Sequence, residues 1–293
     1  MSTRKFKFIF AILLLLVSTV ADAAPLQVTV SIVPQEFFVK KIGGDLVDVN
    51  VMVRPGSSPA VYEPQPKQMT QLSNSAIYFA IGVPFEQAWL PRFKSANTNL
   101  EIVHLDESVV RQPMQEHIHE GEEHHDHSDN YIADPHIWLA PPLVRIMSLQ
   151  IRDSLIAADP QHEDIYRKNY YKFAAEIDDL DHELINIFKN SSKPQSFMVY
   201  HPSWGYFART YGLKQIPIEL EGKEPSPKEM AQIIDFARNN SVSAIFIQPQ
   251  FSKKSAQAIA SSIGAKILIA DPLAANWDEN LREAAKSFLG NSR

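Results

Sequence analysis

Residues 160–189, PQHEDIYRKNYYKFAAEIDDLDHELINIFK, decide the fold. Tyr166, Tyr170, Phe173, Ile177, Leu180, Leu184 and Ile187 recur there at intervals of 4, 3, 4, 3, 4 and 3. That spacing places one apolar stripe along an amphipathic helix. The stretch would extend about 45 Å at about 1.5 Å per residue. A helix of that length can run the length of a small domain pair, and it reads as a stiff connector between two lobes. A coiled-coil partner helix is the other reading. It is weaker because the stripe lasts only about three heptads.

Working outward, both flanks show short apolar runs alternating with helical patterns. Before the connector, strands are expected at Leu26–Val33, Leu46–Val53, Ala76–Ile81 and Leu100–Leu105. Helices are expected at Gln35–Ile42, Lys67–Asn74, Phe85–Phe93 and Pro142–Ala158. After it come strands at Ser196–Tyr200, Leu213–Leu220, Ala244–Ile247 and Lys266–Ala270. Helices there are expected at Trp204–Tyr211, 227–239, Ser255–Ile263 and Asn276–Leu289, the second opened by the capping box Ser226-Pro227-Lys228-Glu229. Strands alternating with helices imply parallel sheet. The expected fold is therefore α/β: two similar lobes of parallel sheet flanked by helices, joined by one long rigid helix. The expected organisation is a signal peptide over 1–23, an N-terminal lobe over 24–158, the connecting helix over 159–190 and a C-terminal lobe over 191–293.

The signal peptide rests on Arg4, Lys5 and Lys7, the apolar run Phe8–Val20 and the small-x-small triplet Ala21-Asp22-Ala23, with cleavage after Ala23. The apolar run is about 13 residues, short of the roughly 20 that span a bilayer. The chain has no cysteine. An exported protein without cysteine has neither disulfides nor a lipid-anchoring thiol at the cleavage site. A soluble protein of this kind is retained only behind an outer membrane, which points to a Gram-negative periplasm. The chain carries −6 at neutral pH. Removing residues 1–23 takes away three positive charges and one negative, so −6 becomes −8. An acidic chain is a poor nucleic-acid partner and mildly favours a cationic ligand.

Between Asp106 and Asp134 the periodicity stops. Five of the ten histidines fall between 117 and 127: His117, His119, His124, His125 and His127, interleaved with Glu120, Glu122, Glu123 and Asp126. This stretch reads as a disordered loop that can bind zinc weakly and reversibly. A solvated acidic loop would not account for the histidines.

In open parallel sheets, ligands sit beyond the carboxyl ends of strands. His201 directly follows the strand ending at Tyr200, and Asp271 the strand ending at Ala270. His136 stands in Asp134-Pro135-His136-Ile137-Trp138, just before the first half's last helix. Two imidazoles and a carboxylate are a recognised zinc set, and nitrogen donors favour zinc over the harder manganese. Each residue alone could be a turn residue or a partly buried histidine. All three at the same kind of position argue for a metal site. Catalytic patterns are weak. His119-Glu120, His162-Glu163 and His182-Glu183 begin like a zincin helix, but Glu123, Tyr166 and Asn186 stand where the second histidine belongs. There is no G-x-S-x-G, P-loop or G-x-G-x-x-G.

Ser31-Ile32-Val33-Pro34, Ile42-Gly43-Gly44-Asp45, Tyr62-Glu63-Pro64-x-Pro66, Asp134-Pro135-His136-x-Trp138, His201-Pro202-Ser203-Trp204-Gly205-Tyr206-Phe207 and Asp271-Pro272-Leu273 follow one another along nearly the whole mature chain. Together they resemble the zinc- and manganese-binding solute-binding components of ABC metal importers. The His/acid loop and the third-position histidine resemble the zinc members, whereas manganese members commonly carry a carboxylate at that position. The resemblance implies a cleft between two lobes bridged by a rigid helix. It implies Zn2+ carried as the transported ligand, a monomer, and an ABC permease as partner. His136, His201 and Asp271 match the family's ligand positions. In one place the sequence departs: Pro59-Ala60-Val61-Tyr62-Glu63-Pro64 has alanine where the family reads Pro-His, so the site either keeps three protein ligands plus water in an open position or has the gap filled by Glu63 or the loop histidines, which spacing does not decide. The alternatives are a manganese or other divalent-metal carrier of the same family, a zinc hydrolase using the open position for water, and an adhesin or sensor on the same fold.

Overall fold

The computed structural model describes residues 24–114, 133–189, 196–219, 223–240, 242–251 and 253–290. The expected signal peptide and the histidines 117–127 lie outside them. No described helix is long and apolar enough to cross a membrane.

The first half runs β1 (Leu26–Val30), α1 (Val33–Gly43), β2 (Val47–Val51), α2 (Pro66–Leu72), β3 (Ile77–Ala80), α3 (Pro84–Ala96), β4 (Glu101–His104) and α4 (Pro141–Ala158). The connector is α5 (Glu163–Phe188). The second half runs β5 (Ser196–Val199), α6 (Gly205–Thr210), β6 (Lys214–Pro217), α7 (Pro227–Asn239), β7 (Ala244–Ile247), α8 (Lys253–Ile263), β8 (Lys266–Ile269) and α9 (Trp277–Gly290). Each half builds a four-stranded parallel sheet, ordered β2-β1-β3-β4 and β6-β5-β7-β8. The strand order reverses between β1 and β3 and again between β5 and β7. Those reversals open a crevice at the carboxyl ends of the strands.

Strands β3 and β7 are buried at every residue, as apolar runs with helices on both faces should be. The two sheets share one core. Val28, Val30, Phe79 and Ile77 of the first belong to the same apolar cluster as Phe197, Val199 and Phe246 of the second, with α1, α4, α5 and α9 between them. The opposite face of the second sheet, with Met198, Ile216, Ile245 and Ile247, packs separately under α7 and α8. The alternation Phe197/Met198/Val199 across these clusters is the two-residue period of a strand. A core shared through α5 makes the joint between the halves stiff.

Helix α5 buries Tyr166, Tyr170, Phe173, Ala174, Ile177, Leu180, Leu184 and Phe188. The stripe thus ends on Phe188, whereas Ile187 is only partly buried. An α-helix drifts about 20° per heptad from a seven-residue repeat, so after three heptads the stripe has slipped by about 60°, more than half the roughly 100° between successive residues, and the next residue lies nearer the buried face. Phe188 meets Phe207 and Tyr211 of the second half at 6.1 and 6.0 Å between ring centres. Before α5, Pro160–His162 form a separate 3-10 turn rather than the first turn of the helix. The capping box forms as expected: Ser226 N donates to Glu229 Oε2 (2.7 Å), and Glu229 N to Ser226 Oγ (3.4 Å).

The stretch expected to be irregular from Asp106 to Asp134 is ordered at both ends. Leu105–Ser108 form a 3-10 turn, Arg111 pairs with Asp106 at 3.1 Å, and Pro113 bridges antiparallel to Ala133. Asp134 N donates to Gln112 O at 2.8 Å, which closes the base of the loop. Periodicity misses such pairing because it is a single bridge between residues far apart in sequence.

Candidate metal centre

His201 leaves the end of β5 at the reversal point of the second sheet. Its backbone is fixed by Gln248, which leaves the end of β7: Gln248 Nε2 donates to His201 O (2.7 Å) and His201 N to Gln248 Oε1 (3.3 Å). His136 stands immediately before the 3-10 turn Ile137–Leu139, at the entrance to α4. The two imidazole rings face each other across the halves, 5.2 Å between centres and 70° between planes.

Each ring is held at the same atom. His136 Nδ1 lies 2.7 Å from Asp134 Oδ1, which also accepts from His136 N at 3.0 Å. His201 Nδ1 is bonded to Glu219 Oε1. Asp134 and Glu219 are both buried. A carboxylate only accepts, so Nδ1 carries a proton in each ring, and the neutral ring then has its lone pair on Nε2. This is the arrangement by which metal-binding histidines are oriented and made more basic. Burial holds the His136 imidazole below its ordinary pKa, against the opposing pull of Asp134. That favours the neutral ring, the form that binds metal.

Four further hydrogen bonds tie the halves together here. Tyr206 OH donates to Asp134 O (3.1 Å) and accepts from Gln112 N (3.0 Å). Trp138 Nε1 donates to Pro272 O (2.7 Å), and Trp277 Nε1 to Trp138 O (2.7 Å). Gly205 is required by contact: a Cβ there would stand 2.8 Å from Asp134 Oδ2. The motif residues around His136, His201 and Asp271 therefore form one bonded unit spanning both halves.

Asp271 follows β8. Its Oδ1 accepts from Gln250 Nε2 (2.9 Å) and Leu273 N (3.0 Å). Among the described residues, no three His, Cys, Asp or Glu side chains converge as a metal-sized group. The structure thus brings His136 and His201 together and leaves Asp271 outside a closed three-ligand set.

A family model described as ZnuA, zinc-uptake complex component A, periplasmic, matches residues 28–291. The chain belongs to this family. It is a zinc-uptake binding protein of an ABC importer system and not an enzyme. It is 28% identical over 252 residues to the high-affinity zinc uptake system protein ZnuA of Bacillus subtilis, covering 85% of this chain and 78% of that protein. A crystal structure of ZnuA superposes with a TM-score of 0.83 at 42% identity, over 92% of this chain and all of that one. A deletion mutant of ZnuA with zinc bound gives 0.81 at 41% identity, over 92% and 98%.

Within this ZnuA-family chain, Ala60 is exposed, on the segment between β2 and α2. The segment is held where Phe85 N donates to Pro59 O (3.2 Å), where Tyr62 meets the Phe85 ring, and where Tyr62 OH donates to Gln68 Oε1 (2.8 Å). Glu63 is exposed too. The zincin-like starts are local contacts: His162 Nδ1 bonds Asp159 (2.6 Å) and His182 Nδ1 bonds Asp178 O (2.8 Å). His119 lies outside the described residues.

Sequence reasoning missed Asp134 and Glu219. Asp134 was visible as an acid two residues before a candidate ligand. Glu219 falls inside the expected strand Leu213–Leu220, but β6 ends at Pro217. The carboxylate therefore also lies beyond a strand's carboxyl end. An acid in the otherwise apolar run 216–220 was the available signal.

Proposed function

We propose that Zn2+ is held by Nε2 of His136 and Nε2 of His201, with Asp271 as third ligand and water completing the set. The observation that carries this reading is the facing pair of imidazoles, each with Nδ1 bonded to a buried carboxylate. Asp271 follows from the Trp138–Pro272 bond, which keeps its segment beside that of His136. Three protein ligands and an open position suit a carrier that must release its cargo. The nitrogen donors favour zinc over manganese.

The finer reading of delivery is that the chain loses residues 1–23, works as a soluble monomer in a Gram-negative periplasm, and presents Zn2+ to an ABC permease. Residues 24–158 act as one lobe, 159–190 as the connecting helix and 191–293 as the other lobe. Loop histidines 117–127 add weak extra sites. Zinc competition titration with a chelating dye on His136→Ala and His201→Ala tests the site. Each should weaken binding by more than about tenfold, or about 1.4 kcal/mol. Wild-type affinity in both would remove the site from this cleft.

A further inference from the structure

The turn Gln248-Pro249-Gln250-Phe251 between β7 and α8 touches both proposed ligands of the second half. Gln248 holds the His201 backbone. The Phe251 ring stacks on the His201 ring, 4.8 Å between centres and 24° between planes, and also meets Tyr200 at 5.6 Å. Gln250 Nε2 donates to Asp271 Oδ1. The orientation of that amide is decided by charge, because the reverse would set its oxygen against the carboxylate. Its Oε1 is buried without a hydrogen-bond partner among the described residues. A buried amide left half satisfied in order to hold a carboxylate is costly for a purely structural residue.

We infer that Gln250 is a positioning residue for metal capture, and that the turn 248–251 fixes Asp271 and His201 relative to each other as one preset pair. This rests on Asp271 being a ligand. Leu273 N and Gln250 together occupy Oδ1, which leaves the other carboxylate oxygen for the metal. The three ligands then share one pattern: His136 leans on Asp134, His201 on Glu219, and Asp271 on Gln250. Loss of such a supporting bond commonly weakens metal affinity about 10- to 100-fold.

The test is zinc competition titration on the mature full chain with four variants: Gln250→Ala, Gln250→Glu, Asp271→Ala and the Gln250→Ala/Asp271→Ala double variant. Gln250→Ala should weaken zinc about tenfold, and Gln250→Glu more, since it sets a second carboxylate against Asp271. The double variant should bind like Asp271→Ala alone, because Gln250 acts through that carboxylate. In the metal-free protein, the Gln250 side-chain amide resonances should shift in Asp271→Ala, and adding zinc to the wild type should leave the bond in place. Wild-type affinity in Asp271→Ala would overturn the ligand reading itself. Weakened binding in Asp271→Ala with unchanged binding in both Gln250 variants would overturn only this inference. So would additive losses in the double variant, which would mark Gln250 as acting elsewhere.

Discussion

Replacing Glu219 probes the His201 ring without touching a proposed ligand. In the structure, Glu219 is buried and its Oε1 bonds His201 Nδ1. Glu219→Ala removes the acceptor, so Nδ1–H is left without a partner and the ring is free to turn or to carry its proton on Nε2. The Phe251 stack then remains to resist rotation. Supporting carboxylates of metal-bound histidines are typically worth 10- to 100-fold in affinity, or about 1.4 to 2.8 kcal/mol. Because no other side chain among the described residues holds Nδ1 of His201, the upper part of that range is expected for alanine. Glu219→Gln keeps an oxygen that can accept from Nδ1, and should lose about tenfold or less. The assay is zinc competition titration at neutral pH, with long-range 15N correlation of the imidazole to read the tautomer. The wild type should show the proton on Nδ1, and Glu219→Ala a mixture. Unchanged zinc affinity in Glu219→Ala, with the ring still protonated at Nδ1, would refute the orienting role.

Three further outcomes are expected. Ala60→His should tighten zinc by more than about tenfold if the segment 54–65, on which Ala60 is exposed, closes onto the pair when metal binds, as judged by the same titration; no change would mean that this segment stays away from the metal. Gly205→Ala should press on Asp134 Oδ2 at 2.8 Å, displace the carboxylate that orients His136 and weaken zinc while the metal-free fold persists by circular dichroism. Glu86 is buried against Ser31, Ile81 and Gly82, and burial raises its carboxyl to about 7. The native state therefore keeps a proton that the unfolded chain has released, so stability falls as pH rises from about 4.5 to about 7, by at most about 1.4 kcal/mol per unit. Denaturant unfolding of Glu86→Gln should lack this slope, so its stability relative to wild type should rise between pH 5 and pH 8.

The alternation of strands and helices was legible because every buried strand here is a short apolar run between helical patterns. The connector was legible because Tyr166 to Leu184 repeat without a break. Strand ends were read two or three residues too long at Val33, Val53 and Leu220, since the apolar run in the sequence continues past the last paired residue. That error hid Glu219. His136 and His201 were legible as histidines at chain positions that end in the crevice, but their mutual approach is a product of packing between halves. Asp134 was legible only as an acid two residues before a candidate ligand, and neither its role nor that of Gln250 could be read. Both roles depend on side chains meeting across 2 and 21 residues of sequence, with no periodic signature.

The most direct test of the zinc site is X-ray absorption at the zinc edge. It needs the protein lacking residues 117–127, loaded with one equivalent of Zn2+, compared with the same protein carrying His136→Ala and His201→Ala. The account predicts two imidazoles and oxygen in the first shell, with Zn–N near 2.0–2.1 Å. It predicts that imidazole scattering disappears from the double variant. Imidazole scattering that is absent from the first protein, or unchanged in the double variant, would contradict it.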